Sequence, residues 1–293
     1  MLDLSRLDFM RSGALKRLLH TEQRMRQGPA ACARVVCVAS GKGGTGKSIL
    51  ATNLAVLRAQ RGERVLLVDF DAGLANAHLL LGLAPRFDMS HVAEGAASLE
   101  QALIEGPAGV RLLSGGVGRP ALATPTRREL ERLFRALRPL EDVFDLIVID
   151  HGAGLGYATV AHLAATSTLI LVTSHEVTGL SDAYALYKRA LTVNPHIRVG
   201  LLVNRAPSES AARAAWERFR SACQRFLNRQ PELIGWVQAD EAVGRSVESR
   251  TPVTCGEPES AAACALRRAA DWAPLDLART SSAFYERALR ALR

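Results

Sequence analysis

Eight consecutive residues, Gly41-Lys42-Gly43-Gly44-Thr45-Gly46-Lys47-Ser48, constrain this chain more than any other segment. They satisfy G-x-x-x-x-G-K-[ST] directly after the β-branched run Val35 to Ala39 and directly before a helical pattern that begins at Lys47. That strand, loop and helix setting is what gives the pattern chemical meaning. The glycines let backbone N–H groups converge on phosphate oxygens without a Cβ in the way, and the helix N-terminus adds a favourable dipole. Lys47 is expected to reach the β and γ phosphates of a nucleotide, and Ser48 to place its hydroxyl on Mg²⁺.

The use of basic residues points to the same segment. Of the 37 Lys and Arg, only Lys16, Lys42, Lys47 and Lys188 are lysine, and two of the four fall inside this one loop. A phosphate loop needs only Lys47, so Lys42 calls for its own explanation. The formal net charge of +8 permits an acidic partner without naming one. Hydrophobic residues make up 48% of the 293, enough for a sizeable core and too many for a disordered chain.

Short apolar runs alternate with amphipathic stretches. Strands are expected at 35–39, 65–69, 110–113, 146–150, 168–173, 197–204 and 233–237, and helices at 47–60, 127–137, 180–191 and 210–227. This alternation implies right-handed crossovers and a mostly parallel, doubly wound α/β sheet in a single P-loop domain. The expected division is an N-terminal helical extension over 1–30, the P-loop domain over 31–270, and a linker with a C-terminal amphipathic helix over 271–293. On a helical wheel Phe284, Tyr285, Leu289 and Leu292 share one arc, and Glu286, Arg287, Arg290 and Arg293 the other. Two readings stand for that apolar arc: insertion into a membrane interface, or docking on the body.

Five cysteines (Cys32, Cys37, Cys223, Cys255, Cys264) form no C-x-x-C pair, which indicates neither a zinc site nor a disulfide framework and fits a reducing cytosol. The start of the chain lacks the marks of a signal peptide, so no export is expected. Residues 151 to 175 carry no formal charge and are long enough to span a bilayer, but Gly152, Gly154, Gly156 and three histidines divide them into loop, short helix and strand.

Carboxylates complete the candidate site. Asp69 and Asp71 follow the second strand, where a carboxylate at the C-terminal end faces the ligand crevice. For Asp69 a strand-end cap and a functional role are both open. Asp150 ends Leu146-Ile147-Val148-Ile149-Asp150, a Walker B pattern that places its carboxylate in the outer shell of Mg²⁺. Asn204, at the end of its strand, offers the planar donor and acceptor pair that an adenine edge requires.

The two-lysine loop resembles the deviant phosphate loop of the MinD/ParA ATPases. That resemblance implies ATP and Mg²⁺ as cofactors, ATP hydrolysis, and an ATP-dependent homodimer in which Lys42 reaches the partner's nucleotide. It implies that Asp71 positions the attacking water, that 151–156 form a second switch, that Asn204 reads adenine, and that 235–240 close over the base. Three segments are similar to the FlhG (FleN) branch, whose members regulate flagellar number and placement. These are Gly73-Leu74-Ala75-Asn76 with Leu79-Leu80-Leu81-Gly82-Leu83, then Asp150-His151-Gly152-Ala153-Gly154, and Thr178-Gly179-Leu180-Ser181-Asp182-Ala183-Tyr184-Ala185-Leu186. The branch implies a cytoplasmic protein, peripheral to the inner face of the cell membrane, with a flagellar GTPase or transcription regulator as partner. His78, His151 and His175 depart from its usual residues, and Asp8-Phe9-Met10-Arg11 lacks the glutamine of its GTPase-stimulating motif. Division-site or DNA-positioning ATPases and a nucleotide-bound scaffold of low turnover remain as alternatives. With no added DNA-reading module, specific DNA binding is not expected.

Overall fold

The computed structural model describes residues 32–71, 75–116, 125–276 and 283–293. The expected N-terminal helical extension, Gly73 and Leu74, and part of the expected linker lie outside them.

All seven expected strands form: β1 (Arg34–Ala39), β2 (Val65–Phe70), β4 (Arg111–Leu113), β5 (Leu146–His151), β6 (Thr168–Ser174), β7 (Arg198–Ala206) and β8 (Glu232–Gln238). One more, β3 (Leu103–Glu105), joins them in an eight-stranded sheet of order β3-β4-β2-β5-β1-β6-β7-β8. Every pairing is parallel except β3 with β4, where a tight turn over Pro107–Gly109 reverses the chain. The strand that precedes the phosphate loop is thus central, between β5 and β6.

Helices cover both faces because successive strand side chains point to opposite sides. Val36 and Val38 of β1 meet α1 (Lys47–Gln60) through Leu50 and Leu54. Val35, Cys37 and Ala39 face the other core. There they join α2 (Arg127–Leu137), α3 (Leu140–Val143), α4 (Tyr157–Ala165), α5 (Val177–Val193) and α6 (Glu209–Leu227). The first face is completed by α7 (Glu241–Glu248) and α8 (Ala261–Ala270). Each leucine buried this way contributes about 1.5–3 kcal/mol.

The terminal helix α9 (Phe284–Ala291) takes up the second of the two readings and docks on the body. Phe284, Tyr285 and Leu292 are buried in the body of the protein and Leu289 is half-buried against it, so the arc expected to enter a membrane is the arc that packs. The reason is a prepared seat. Phe134, His162 and Tyr285 stack with centroids 4.7–6.0 Å apart, and the buried carboxylate of Glu141 accepts the backbone N–H groups of Phe284 (2.6 Å) and Tyr285 (2.8 Å). Glu141 therefore caps a helix whose own N-cap, Ala283, has no side-chain acceptor. Arg287 adds a hydrogen bond from Nε to the Ala165 carbonyl (2.9 Å). Among the described residues no helix is long and apolar enough to cross a membrane.

Candidate functional site

The loop from Gly41 to Gly46 leaves β1 at the C-terminal edge of the sheet and turns into α1. Gly46, at φ +86°, is the left-handed residue that starts the helix, and a Cβ there would overlap the Asn204 amide. Gly41 lies so close to the backbone of Asp182 in α5 that a Cβ would overlap it, so α5 forms the wall behind the loop. The first turn of α1 holds no acidic residue and no side-chain cap. Its N–H groups are thereby left for an anion.

Lys47 is buried to 8% exposure, and its Nζ lies 3.2 Å from Asp71 Oδ2. Asp71 also borders Gly152, where a Cβ would stand 3.3 Å from Oδ1. The loop lysine and the expected second switch therefore meet at one carboxylate. Asp69 resolves as the strand-end cap: one oxygen accepts the N–H of Asp71 (3.0 Å) and the other that of Ala77 (3.1 Å). Asp150, paired in register with Asp69 across β5 and β2, is the opposite case. It is fully buried and neither oxygen has a hydrogen-bond partner of normal geometry, although the Ser48 hydroxyl is near enough to lower its pKa. An orphaned buried carboxylate beside a hydroxyl fits a hydrated divalent cation. The residues thus fit Mg²⁺ with a nucleotide: Ser48 would hold the metal directly, Asp150 through water, and Lys47 with the loop amides the phosphates.

The charge balance has a measurable consequence. Burial, and then the neighbouring Asp69, push the Asp150 carboxyl up to about 8, and burial pushes Asp69 up to about 6. Both retain protons in the folded chain at pH values where the unfolded chain has released them. Their stabilisation is present near pH 4 and is lost as pH rises through about 6 and about 8. The nucleotide-free protein should therefore melt at a lower temperature at pH 8 than at pH 6, and Asp150→Asn should remove most of that slope. His151, buried and held down to about 3, stays neutral in the fold while its unfolded imidazole loses its proton near the ordinary histidine range, so it offsets part of this slope rather than adding to it. A melting temperature independent of pH across this interval would contradict the pairing.

Beside the loop, a cavity of about 530 Å³ is floored by Leu50, Leu202, Val237 and Leu266 and rimmed by Asn204, Arg205, Gln238 and Asp240. An apolar floor with few polar groups suits a planar base. Asn204 lines it, and its Nδ2 also donates to the Thr45 carbonyl (2.7 Å). Of the expected closing segment, residues 237–240 line the cavity. Asp240 is committed elsewhere, accepting the N–H groups of Ala242 and Ala262 at 2.9 Å each.

Lys42 does not turn into its own loop. Its half-exposed ammonium lies 3.5 Å from Glu176 and 3.4 Å from Thr178 Oγ1, at the start of α5. The exposed apolar residues Leu155, Tyr157 and Val177 belong to the second switch segment and the starts of α4 and α5. Of the three departing histidines, His151 is buried 5.1 Å from His162, His78 lies 3.5 Å from Ser114, and His175 keeps its Nδ1 buried without a partner. Sequence reasoning missed the Glu176 and Thr178 contacts and the position of Arg205, which nothing in residue type or spacing signals.

Fold and site together define an α/β P-loop nucleotide-binding protein with a second lysine in its loop. Residues 36–253 match the CobQ/CobB/MinD/ParA nucleotide binding domain. The antiactivator FleN of Pseudomonas aeruginosa is 33% identical over 81% of this chain and 85% of its own. The flagellum site-determining protein YlxH of Helicobacter pylori is 29% identical over 74% of each. The septum site-determining protein MinD of Pyrococcus horikoshii, solved with Mg-ADP, superposes with a TM-score of 0.66 at 26% identity, covering 81% of this chain and 94% of that one. The chain belongs to the MinD/ParA nucleotide-binding family, whose members are P-loop ATPases using ATP and Mg²⁺.

Proposed function

We propose that this chain is an ATP-hydrolysing, dimerising switch that regulates the number or placement of flagella. The flagellar part rests on likeness to two relatives whose names are flagellar. The switch rests on one observation: Lys42 stands outside its own cradle, on the surface, beside a half-formed apolar rim.

Mg²⁺ and ATP, when bound, supply the phosphoanhydride bond and the divalent charge that offsets its phosphates. The chain's residues divide the remaining work. Lys47 exchanges Asp71 for phosphate oxygens, which frees the Asp71 carboxylate to orient a water. Gly152 leaves room for that movement. Lys42 leaves Glu176 and Thr178 and enters the partner's site, so that each site is complete only in the dimer. Leu155, Tyr157 and Val177 are covered in the process.

Association with the inner face of the cell membrane takes a restricted form in this reading. Arg290 and Arg293 face outward from the docked helix and can meet anionic head groups, whereas Phe284, Tyr285 and Leu292 reach lipid only if α9 leaves its seat. A flagellar GTPase or a transcription regulator is the partner class this reading favours.

The test is mass in solution. Asp71→Ala protein should be a monomer with ADP and a dimer with ATP, and adding Lys42→Ala should return it to a monomer. A mass that ATP does not change, or an ATP dimer indifferent to Lys42, would count against the reading.

A further inference from the structure

At the end of β7 three successive residues each grip a segment around the nucleotide site, two of them the phosphate loop and the third the strand end beyond β8. Asn204 donates to the Thr45 carbonyl (2.7 Å), the Arg205 guanidinium donates from Nη1 to the Gly44 carbonyl (3.4 Å), and the Ala206 carbonyl accepts the Ala239 N–H (3.0 Å). A regular strand cannot place neighbouring side chains this way, since residues 204 and 205 would point to opposite faces of the sheet. The backbone solves the conflict with a left-handed residue. Arg205 sits at φ +58°, a region that non-glycine residues seldom occupy, and the pairing of β7 with β8 loses register between Val203 and Ala206. Of the four non-glycine residues with positive φ among those described, Arg205 is the one that lines the cavity. Local strain of this kind persists where the surrounding structure demands it.

The consequence lies in the loop. In a planar trans peptide the carbonyl of one residue and the N–H of the next point in opposite directions. No cis peptide occurs among the described residues. Drawing the Gly44 carbonyl toward Arg205 therefore aims the Thr45 N–H the other way, and drawing the Thr45 carbonyl toward Asn204 does the same for the Gly46 N–H. Both carbonyls are held from outside, so two consecutive amides are presented together to the inside of the loop.

We propose that Arg205 is a positioning residue of the phosphate cradle: with Asn204 it holds two adjacent carbonyls so that the amides behind them are set for phosphate before nucleotide arrives. This rests on the nucleotide-binding reading above. The target is the polyphosphate, not the base, because the guanidinium reaches the loop backbone. The left-handed backbone at 205 is the means by which one strand end supplies both clamps.

The experiment compares wild type with Arg205→Gly, Arg205→Ala and Arg205→Lys, measuring Mg²⁺·ADP and Mg²⁺·GDP dissociation constants by calorimetry beside melting temperature. Arg205→Gly removes the guanidinium while relieving the backbone, so it should melt no lower than wild type and yet bind ADP about tenfold more weakly, the factor expected for one lost hydrogen bond to a charged group. Arg205→Ala should show the same loss with a lower melting temperature, and Arg205→Lys should recover part of the affinity. The ratio of ADP to GDP affinity should stay constant, since the effect passes through the phosphates. Unchanged ADP affinity in a folded Arg205→Gly protein overturns the assignment, as does a change in the ADP to GDP ratio, which would make Arg205 a reader of the base. Absence of ADP binding by wild type would sink the nucleotide reading itself, and the assignment with it.

Discussion

Asp71→Ala should bind ATP at least as tightly as wild type and release phosphate on the order of a hundred- to ten-thousandfold more slowly, the span typical of a lost proton-handling group. The geometry supports both halves. Asp71 holds Lys47 at 3.2 Å, so removing it leaves that ammonium free for phosphate and takes a negative charge away from the place where more negative charge must bind. It is also the carboxylate that meets the second switch segment at Gly152, at the end of the strand that Asp69 caps. Single-turnover phosphate release, with binding measured separately, checks the split. A variant that hydrolyses at the wild-type rate would remove Asp71 from the mechanism, and one that no longer binds ATP would make it part of the binding surface.

Tyr285→Ala should lower the melting temperature by on the order of 10 °C, from a loss of about 3–5 kcal/mol on emptying an aromatic site in the core. Tyr285 is fully buried between Phe134 and Phe284, with its ring 6.0 Å from His162. His162 in turn touches Phe70 (4.7 Å), the residue before Asp71, and His151 (5.1 Å), the residue after Asp150. The seat of the terminal helix thus touches the neighbours of both carboxylates of the nucleotide site, Asp71 and Asp150. Leu289→Ala, at a half-buried position, is the control and should cost far less. If thermal melts place Tyr285→Ala beside wild type, the helix does not occupy this seat in solution.

The sheet was legible because its central parallel strands β1, β2, β5 and β6 are buried apolar runs rich in β-branched residues between helical patterns, and such a run has few other ways to fold. β3 was not: Leu103-Ile104-Glu105 is three residues long, directly follows a helical turn, and is a strand only because it pairs with β4. The phosphate loop, Asp150 and Asn204 were readable from position at strand ends. Which of Asp69 and Asp71 serves as cap was not, since both follow the same strand, and the N–H groups of Asp71 and Ala77 that settle it appear only in three dimensions. The terminal helix shows the limit most clearly. Its two faces can be read from a wheel, but a wheel does not distinguish a bilayer from a protein body. The partners that decide, Phe134, Glu141 and His162, lie more than 120 residues away in the chain. His151 and His162, set apart in the sequence by ten residues, come together only because β5 and α4 pack in the core around Phe70.

The claim on which the account turns is that each ATP site takes its water-orienting carboxylate from its own chain and a lysine from the other. Mixing two inactive variants tests it directly. Lys42→Ala keeps Asp71 and has no lysine to lend, whereas Asp71→Ala lends Lys42 and cannot orient water. In a mixed dimer, the site on the Lys42→Ala chain is complete. Phosphate release should be near zero for each variant alone and should reappear on mixing, with a maximum near equal proportions. A mixture as inactive as its components, or a Lys42→Ala protein that hydrolyses ATP normally by itself, would contradict the account.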